Sequence, residues 1–231
     1  MAAGRFEPMV REDLFQTRKD SIRKRLLKYT RKAFLMIPKT DSPNILDVGC
    51  GSGISTVELA RLSRGKVIGI DIDQPALDKF TNRINALGLT GSVQALNCSM
   101  SEMNFPDDSY DIIWSEGSIY AIGFEKGLRE WKRFLKSGGY MVVHDERGNI
   151  DEKLQHISGC GYELINYFVL DKEVWRTEYF APLEELITET LKGHLDDSKI
   201  LEGIRQAQWE LDMFKRYPER NNSVCFVIKK K

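Results

Sequence analysis

Apolar residues near the start of the chain follow a helical period. Between residues 20 and 37 they recur at intervals of three and four positions, which places them on one face of a helix. The positions are Ile22, Leu26, Tyr29, Ala33 and Ile37. Pro38 follows, and the residue before a proline is disfavoured in helical geometry. We therefore predict one amphipathic helix that ends before Pro38.

From residue 44 to residue 144, short apolar runs alternate with amphipathic segments. Five strands are predicted at NILDV, KVIGID, SVQALN, YDIIW and YMVVH. Three helices are predicted at 53–62, 74–87 and 124–135; Gly88 ends the second and SGG the third. This alternation favours a parallel sheet covered by helices on both faces. Because ligands of such sheets bind beyond the C-terminal strand ends, residues directly after each strand are the first candidates for a site.

The last third of the chain departs from this alternation. A helix is predicted at 151–159, followed by the strand YELINYFVL. Two further helices are predicted at 182–193 and 197–217, before a closing strand SVCFVIK. About fifty residues, 171–220, thus separate the last two strands. Because this insert is long and contains helical patterns, we expect it to be structured.

The composition is that of a globular protein. The chain has 231 residues, of which 42% are hydrophobic and 29% charged, and this length suits one sizeable domain. No apolar stretch approaches the roughly 18 residues of a membrane span, and the N-terminus lacks an apolar signal core. The four cysteines are scattered without a C-x-x-C pair. We therefore expect a cytoplasmic protein without disulfides, a zinc site or another metal.

Charge is unevenly distributed along the chain. The formal net charge is zero, so the molecule as a whole has no electrostatic reason to bind nucleic acid. The first forty residues nevertheless hold eleven lysines or arginines against four acids. Such a helix can bind phosphate, but it is more often a solvated face balanced by acids elsewhere. We favour the second interpretation, so nucleic acid is not an expected partner.

A glycine-rich loop follows the first predicted strand. Gly49, Gly51 and Gly53 come directly after ILDV and before a helix, where backbone N–H groups and the positive end of the helix can approach a ligand. A P-loop would need a lysine that is absent here. The dinucleotide fingerprint would need a third glycine at position 54, which is Ile54. Neither of these two phosphate-binding motifs is present.

The segment LDVGCGSG resembles the first motif of the class I S-adenosylmethionine-dependent methyltransferases. The resemblance extends over residues 44–146. GIDID is similar to the second-strand ending of that family and FPDDSYDIIWSEG to its fourth-strand region. FLKSGGYMVVHDE is similar to its fifth strand, with Ser137 where many relatives have proline. The resemblance implies an α/β, Rossmann-like fold with a seven-stranded, mostly parallel sheet in the order 3-2-1-4-5-7-6 and an antiparallel last strand.

Two longer segments narrow the resemblance. WSEGSIYAIGFEKGLREW and VWRTEYFAP are similar to a group of prokaryotic methyltransferases of unassigned substrate, and the core is similar to the small-molecule, quinone-biosynthesis-like branch. We therefore expect one domain over residues 1–231 with four parts. These are an N-terminal helical cover at 1–40, a cofactor-binding core at 41–170, a helical insert at 171–220 and a final strand at 221–231. Trp175, Tyr179 and Phe180 would either line an acceptor pocket or seat the helices.

The resemblance implies a site for S-adenosylmethionine, with S-adenosylhomocysteine as product. Asp71 would accept hydrogen bonds from the ribose hydroxyls, since Asp73 is the better placed helix cap. Ile72 would lie against the adenine, and Asp47 would either fix the loop or reach the amino acid part. The branch usually has Gly-Asp-Ala where this chain has Cys98-Ser99-Met100, so a serine hydroxyl or backbone groups would serve the adenine. The predicted cofactor residues are Asp47, Gly49, Cys50, Gly51, Gly53, Asp71, Ile72, Ser99, Met100, Ser115 and Glu116.

Three residues near the strand ends are candidates for catalysis. Glu116 would anchor the cofactor ammonium group, act as a base or bind a loop N–H. Tyr120 would form a substrate wall or pack in the core. His144 has a pKa suited to taking a proton from an acceptor, or it is a hydrogen-bonded strand end. The acids Asp145, Glu146 and Asp151 lack a companion ligand pattern for a metal.

These observations predict methyl transfer to a small-molecule acceptor by in-line displacement. One alternative is a methyltransferase for RNA or protein that uses the basic N-terminal helix. Another is a module that binds S-adenosylmethionine without catalysis. A homodimer is left open, and His194, near a predicted helix C-terminus, is assigned no catalytic role.

Overall fold

The structure is a computed structural model that describes residues 11–193 and 198–231. Within these residues, seven strands form one sheet in the order β3-β2-β1-β4-β5-β7-β6, and β7 is antiparallel to both of its neighbours. The predicted fold class is confirmed. His194 lies outside the described residues. The strands are β1 (Asn44–Val48), β2 (Lys66–Asp71), β3 (Val93–Asn97), β4 (Tyr110–Glu116), β5 (Leu135–Glu146), β6 (Tyr162–Leu170) and β7 (Ser223–Lys230).

Helices lie before the first strand and between the strands. Those that precede β6 are α1 (Arg11–Lys24), α2 (Leu27–Phe34), α3 (Ile54–Ser63), α4 (Gln74–Ala86), α5 (Phe124–Trp131) and α6 (Ile150–Gly159). Between β6 and β7 are α7 (Lys172–Trp175), a π-helical turn (Arg176–Phe180), α8 (Ala181–Lys192) and α9 (Ser198–Arg216). No helix in the described ranges is long and apolar enough to cross a membrane.

The chain divides into two compact units. Within the described residues, the sheet unit comprises 27–171 and 220–231, and the helical unit comprises 11–26, 172–193 and 198–219. The boundary after Leu26 falls inside the segment predicted as an N-terminal cover at 1–40.

The prediction of one helix over 20–37 is wrong. The N–H groups of Arg25 and Leu26 donate to carbonyls three residues back, both at 3.0 Å, so α1 ends in a tight turn before α2 begins. The apolar stripe serves two cores: Ile22 packs in the helical unit, whereas Ala33 is buried in the sheet unit. Periodicity alone does not reveal such a division.

Apolar side chains cover both faces of the sheet. Leu46 and Ile113 pair in register and share a core with Trp131 of α5 and Ile157 of α6. On the opposite face, a Cβ added to Gly69 of β2 would lie 2.7 Å from the ring of Phe80 of α4. The predicted helical layers on both faces are therefore confirmed.

The fifth strand begins earlier than its sequence pattern predicts. The helix predicted at 124–135 ends at Trp131, a 3-10 turn follows, and β5 begins at Leu135. SGG, predicted to close the helix, lies within β5 because the pairing with β4 shifts register between Tyr110 and Ile112. Gly138 accommodates the irregularity with a φ of +70°.

The helical unit has its own apolar core and a group of hydrogen-bonded polar side chains around Glu210. Tyr179 and Phe180 are only 5% and 8% exposed, and the ring of Phe180 stacks on Phe214 at 4.0 Å. Both side chains therefore belong to the core of the helical unit. The two predicted roles, lining an acceptor pocket and seating the helices on the sheet, stay predictions. Glu210 accepts hydrogen bonds from Lys19 Nζ at 2.7 Å and from the Tyr179 hydroxyl at 2.6 Å.

Two loop glycines differ in what surrounds them. A Cβ on Gly53 would lie 1.9 Å from Phe80, whereas a Cβ on Gly51 meets nothing within 4 Å; both have positive φ, +74° and +52°. Gly53→Ala and Gly51→Ala should each lose about 1–2 kcal/mol because of the left-handed backbone. Gly53→Ala should lose about 1–3 kcal/mol more from overpacking. Urea unfolding of both variants measures this, and equal losses would contradict the packing argument.

Candidate functional site

The predicted site residues lie at the C-terminal ends of neighbouring strands in the sheet unit. Asp47 is near the end of β1, Asp71 ends β2 and Glu116 ends β4. His144 pairs in register with Glu116, and the N–H of Gly117 donates to the His144 carbonyl at 2.7 Å. The fold therefore brings these residues together at the C-terminal end of the sheet, as the alternating pattern predicts.

The glycine loop is held by the end of β2. The N–H groups of Gly49 and Cys50 both donate to the Ile70 carbonyl, at 2.8 and 3.0 Å. A Cβ on Gly49 would lie 2.3 Å from Ser118 Cβ, so this glycine is required for packing. Gly51 faces open space, and the first turn of α3 has no side-chain cap. The exposed backbone at Gly51 and the helix start are therefore the parts of the loop that a ligand can approach.

Asp71 braces this loop. Its Oδ2 accepts the Gly51 N–H at 2.8 Å and its Oδ1 accepts the Asp73 N–H at 3.0 Å. The carboxylate of Asp73 caps α4 by accepting the Ala76 N–H at 3.1 Å, so Asp71 is not the cap. Each Asp71 oxygen has a second lone pair, and the group is able to accept hydroxyl donors in addition.

An apolar side chain and a fixed backbone segment lie beside Asp71. Ile72 is 71% exposed, and the N–H of Cys98 donates to the Asp71 carbonyl at 3.0 Å. The Met100 carbonyl accepts the indole N–H of Trp131 at 3.2 Å. Within the described residues, the N–H groups of Ser99 and Met100 have no protein acceptor. An exposed apolar wall next to free backbone donors suits a flat heterocycle.

Asp47 is buried beneath the loop. Its Oδ2 accepts the Thr56 hydroxyl at 2.6 Å, which ties β1 to the first turn of α3. The pKa of Asp47 is raised to about 7, first by burial and also by the charges of Glu116 and Asp71, while the Thr56 hydrogen bond opposes the rise. The thiol of neighbouring Cys50 also has a raised pKa because it is buried, so it is neutral at pH 7. Of the two roles considered for Asp47, the fixing of the loop has a direct contact.

Glu116 is held by two side chains that the sequence did not single out. Its Oε1 accepts the indole N–H of Trp114 at 2.8 Å, and its Oε2 accepts the Ser55 hydroxyl at 2.7 Å. Within the part of the chain that the structure describes, no loop N–H donates to Glu116. Trp114 is two residues before Glu116 on the same strand face, and this period-two spacing is the signal that points to the contact. Ser55, 61 residues away in sequence, carries no such signal.

A chain of hydroxyl groups joins β4 to β1. Ser118 donates to the Val48 carbonyl at 2.6 Å and lies 2.7 Å from the hydroxyl of Ser115, which must therefore be the donor to Ser118. Ser115 is fully buried. The side chain of Ser115 supports the loop through its contact with Ser118. Ser118 is a further residue that sequence reasoning missed.

The catalytic candidates differ in exposure. Tyr120, on a 3-10 turn at Ile119–Ala121, is 71% exposed and does not belong to the core. The Nε2 atom of His144 lies 2.8 Å from the hydroxyl of Ser223. Burial lowers the pKa of His144, although the charges of Glu116 and Asp145 oppose this effect. The imidazole is therefore neutral near pH 7.

The acids after β5 are engaged elsewhere. The Asp145 carboxylate binds the ammonium group of Lys153, which also donates to the Glu146 carbonyl at 2.6 Å. Among the residues that the structure describes, no group of three or more potential ligands is arranged to hold a metal ion.

Negative charge at the site is not cancelled by lysine or arginine. Within the described ranges, Asp47, Asp71 and Glu116 form no ion pair with a basic side chain. They surround an open glycine, an uncapped helix start and an exposed apolar side chain. This arrangement suits a ligand that combines positive charge, vicinal hydroxyls and a flat ring.

Comparisons with known proteins agree with this geometry. Residues 45–139 match the methyltransferase domain family. The ubiquinone/menaquinone biosynthesis C-methyltransferase UbiE of Vibrio parahaemolyticus is 27% identical over 165 residues, which are 70% of this chain and 62% of that relative. The methyltransferase GfsG of Streptomyces halstedii is 32% identical over 111 residues, which are 47% of this chain and 40% of that relative. The chain thus spans less than two thirds of the length of these relatives.

A solved structure shows the same fold. The S-adenosylmethionine-dependent methyltransferase from Geobacter sulfurreducens, in complex with S-adenosylhomocysteine, has a TM-score of 0.70 at 18% identity and matches 88% of this chain and 91% of that one. Residues 45–139 thus match a methyltransferase domain, and the chain shares its fold with this solved structure.

Proposed function

We propose that the protein transfers a methyl group from S-adenosylmethionine to a small-molecule acceptor. The observation that carries the proposal is the set of three carboxylates, Asp47, Asp71 and Glu116, which surround the open backbone of Gly51 without a basic partner in the described residues. S-adenosylmethionine has a sulfonium and an ammonium group, so it matches this charge. NAD and nucleoside triphosphates are anions and do not.

Each part of the cofactor has a candidate partner. Asp71 accepts the ribose hydroxyls while it retains the Gly51 N–H at 2.8 Å. Ile72 lies against the adenine, and the N–H groups of Ser99 and Met100 serve its edge. Glu116 receives the ammonium group because its two donors, Trp114 and Ser55, hold the carboxylate in one orientation. Uncapped N–H groups of α3 receive the carboxylate.

When bound, S-adenosylmethionine supplies a methyl group that its sulfonium already activates for in-line displacement. The task of the protein is therefore to orient the reactants and exclude water, and such positioning can contribute roughly 7–11 kcal/mol. Tyr120, which is 71% exposed, offers a wall for the acceptor. His144 lies beside Glu116 and is the group able to take a proton from the acceptor.

Charge pairing supports a small acceptor over RNA or protein. In the helical unit, Arg18 binds Glu189 at 2.6 Å and Lys19 binds Glu210 at 2.7 Å. In the sheet unit, Arg31 binds Glu58 at 2.5 Å. Part of the basic excess in the N-terminal region is thus balanced by acids. The relative UbiE is named for quinone biosynthesis, which agrees with a small acceptor.

The four cysteines are unpaired, as expected in a reducing cytoplasm.

The first test is cofactor binding by calorimetry. Asp71→Asn should weaken S-adenosylmethionine and S-adenosylhomocysteine binding about 10- to 100-fold, because it removes charge-assisted hydrogen bonds. Asp73→Asn is the matched control, since asparagine caps a helix as well as aspartate does. In the wild type, cofactor at about 100 times its Kd should add roughly 2.7 kcal/mol to the free energy of unfolding, and NAD should add none. Stabilisation by NAD alone, or wild-type affinity in Asp71→Asn, would contradict the proposal.

The second test uses the proton on Asp47. Its pKa rises from an ordinary 3.8 to about 7 on folding, so the free energy of unfolding should fall as the pH rises from about 4 to about 7. A cation bound nearby lowers this pKa again, and S-adenosylmethionine binding near pH 7 should release protons. Neutral S-adenosylhomocysteine should release fewer.

Calorimetry in phosphate and Tris buffers counts the protons released. In Asp47→Asn both the release and this part of the pH dependence of stability should disappear. Equal proton release with the two ligands in the wild type would show that the carboxylates do not sense the sulfonium charge.

A further inference from the structure

Ser223 lies next to His144 although 79 residues separate them in the sequence. In the antiparallel pairing of β5 and β7, His144 is opposite Cys225 and Glu146 is opposite Ser223. Side chains two residues apart on a strand share a face, so Ser223 is the diagonal neighbour of His144. The distance between Ser223 Oγ and His144 Nε2 is 2.8 Å.

The backbone around Ser223 is fixed. Ser223 is the first residue of β7 and is only 7% exposed. The preceding residue, Asn222, accepts the N–H of Arg147 at its carbonyl, at 2.7 Å. The hydroxyl is therefore presented to the imidazole by paired strands rather than by a free loop.

Several groups act on the imidazole of His144. Glu116 faces it from β4, and Asp145 follows it on β5 together with its partner Lys153 from α6. On β7, Cys225 lies opposite, with a thiol whose pKa is raised by burial and lowered in part by Lys32 of α2. Burial keeps the pKa of His144 low, so the ring has a choice of two neutral tautomers near pH 7.

We propose that Ser223 is a positioning residue that fixes the ring orientation of His144 and stabilises its imidazolium form. This inference rests on the proposed function, in which His144 takes a proton from the acceptor. A serine hydroxyl is both donor and acceptor, so its bond to Nε2 persists whether Nε2 is bare or protonated.

In the transfer step, the acceptor atom forms a bond to the methyl carbon, and the methyl–sulfur bond breaks with its electron pair left on sulfur. The proton of the acceptor atom goes to His144. Ser223 then accepts the imidazolium Nε2–H in a charge-assisted hydrogen bond.

The test is a pH titration of His144 by long-range ¹H–¹⁵N NMR, with and without S-adenosylhomocysteine. Ser223→Ala should show a pKa of His144 that is lower than in the wild type by about half a unit or more, because the imidazolium loses its acceptor. Ser223→Thr, which keeps the hydroxyl, should restore the wild-type shifts.

Two further measurements keep the result interpretable. Ser223→Cys retains the side-chain volume with a weak hydrogen-bonding group, and it should resemble Ser223→Ala if that variant does not fold. His156 on α6 is an internal reference whose shifts should not change. Unchanged nitrogen shifts and pKa in both Ser223→Ala and Ser223→Cys would overturn the inference. Failure of the wild type to bind S-adenosylhomocysteine would instead overturn the proposed function, since the comparison of His144 pKa values in the free protein is independent of it.

Discussion

Carboxylates at the ends of three neighbouring strands are held by neutral donors, and this sets the character of the site. Thr56 binds Asp47, the N–H groups of residues 51 and 73 bind Asp71, and Trp114 and Ser55 bind Glu116. A neutral donor orients a carboxylate without cancelling its charge. The site is thereby ordered in advance, while its negative potential remains for a ligand. Burial above all, and the charges of Glu116 and Asp71 in addition, destabilise the ionised form of Asp47 in the free protein, and the raised pKa of Asp47 is the sign of that cost.

The glycine motif combines two physical requirements that the letters alone do not separate. Gly49 and Gly53 are needed because Ser118 and Phe80 occupy the space where their side chains would be. Gly51 has no such neighbour, and its N–H is bound by Asp71. Packing therefore accounts for the first and third glycines, whereas the second is required by its left-handed backbone, with a φ of +52°, and leaves space beside the loop.

Much of the fold was predictable because its signals are local. The strand YELINYFVL was predicted with the bounds that β6 has, and the Asp73 cap follows from residue type and position. The failures lie where distant parts of the chain decide. The break after α1 reflects a change of core partner, and the early start of β5 reflects a register shift against β4. Ser55, Ser118 and Ser223 act through partners that local patterns do not indicate, although the strand order does bring the start of β7 to the end of β5.

The composition of the helical unit has a consequence for folding. Its segments lie at opposite ends of the sequence, so Arg18 and Glu189 are 171 residues apart and Lys19 and Glu210 are 191 apart. During synthesis α1 emerges first, but its partners α8 and α9 are made only after the entire segment 27–171. Closing so long a loop is entropically costly and slow. The apolar face of α1 must therefore stay exposed, or be shielded by a chaperone, until almost all of the chain has left the ribosome.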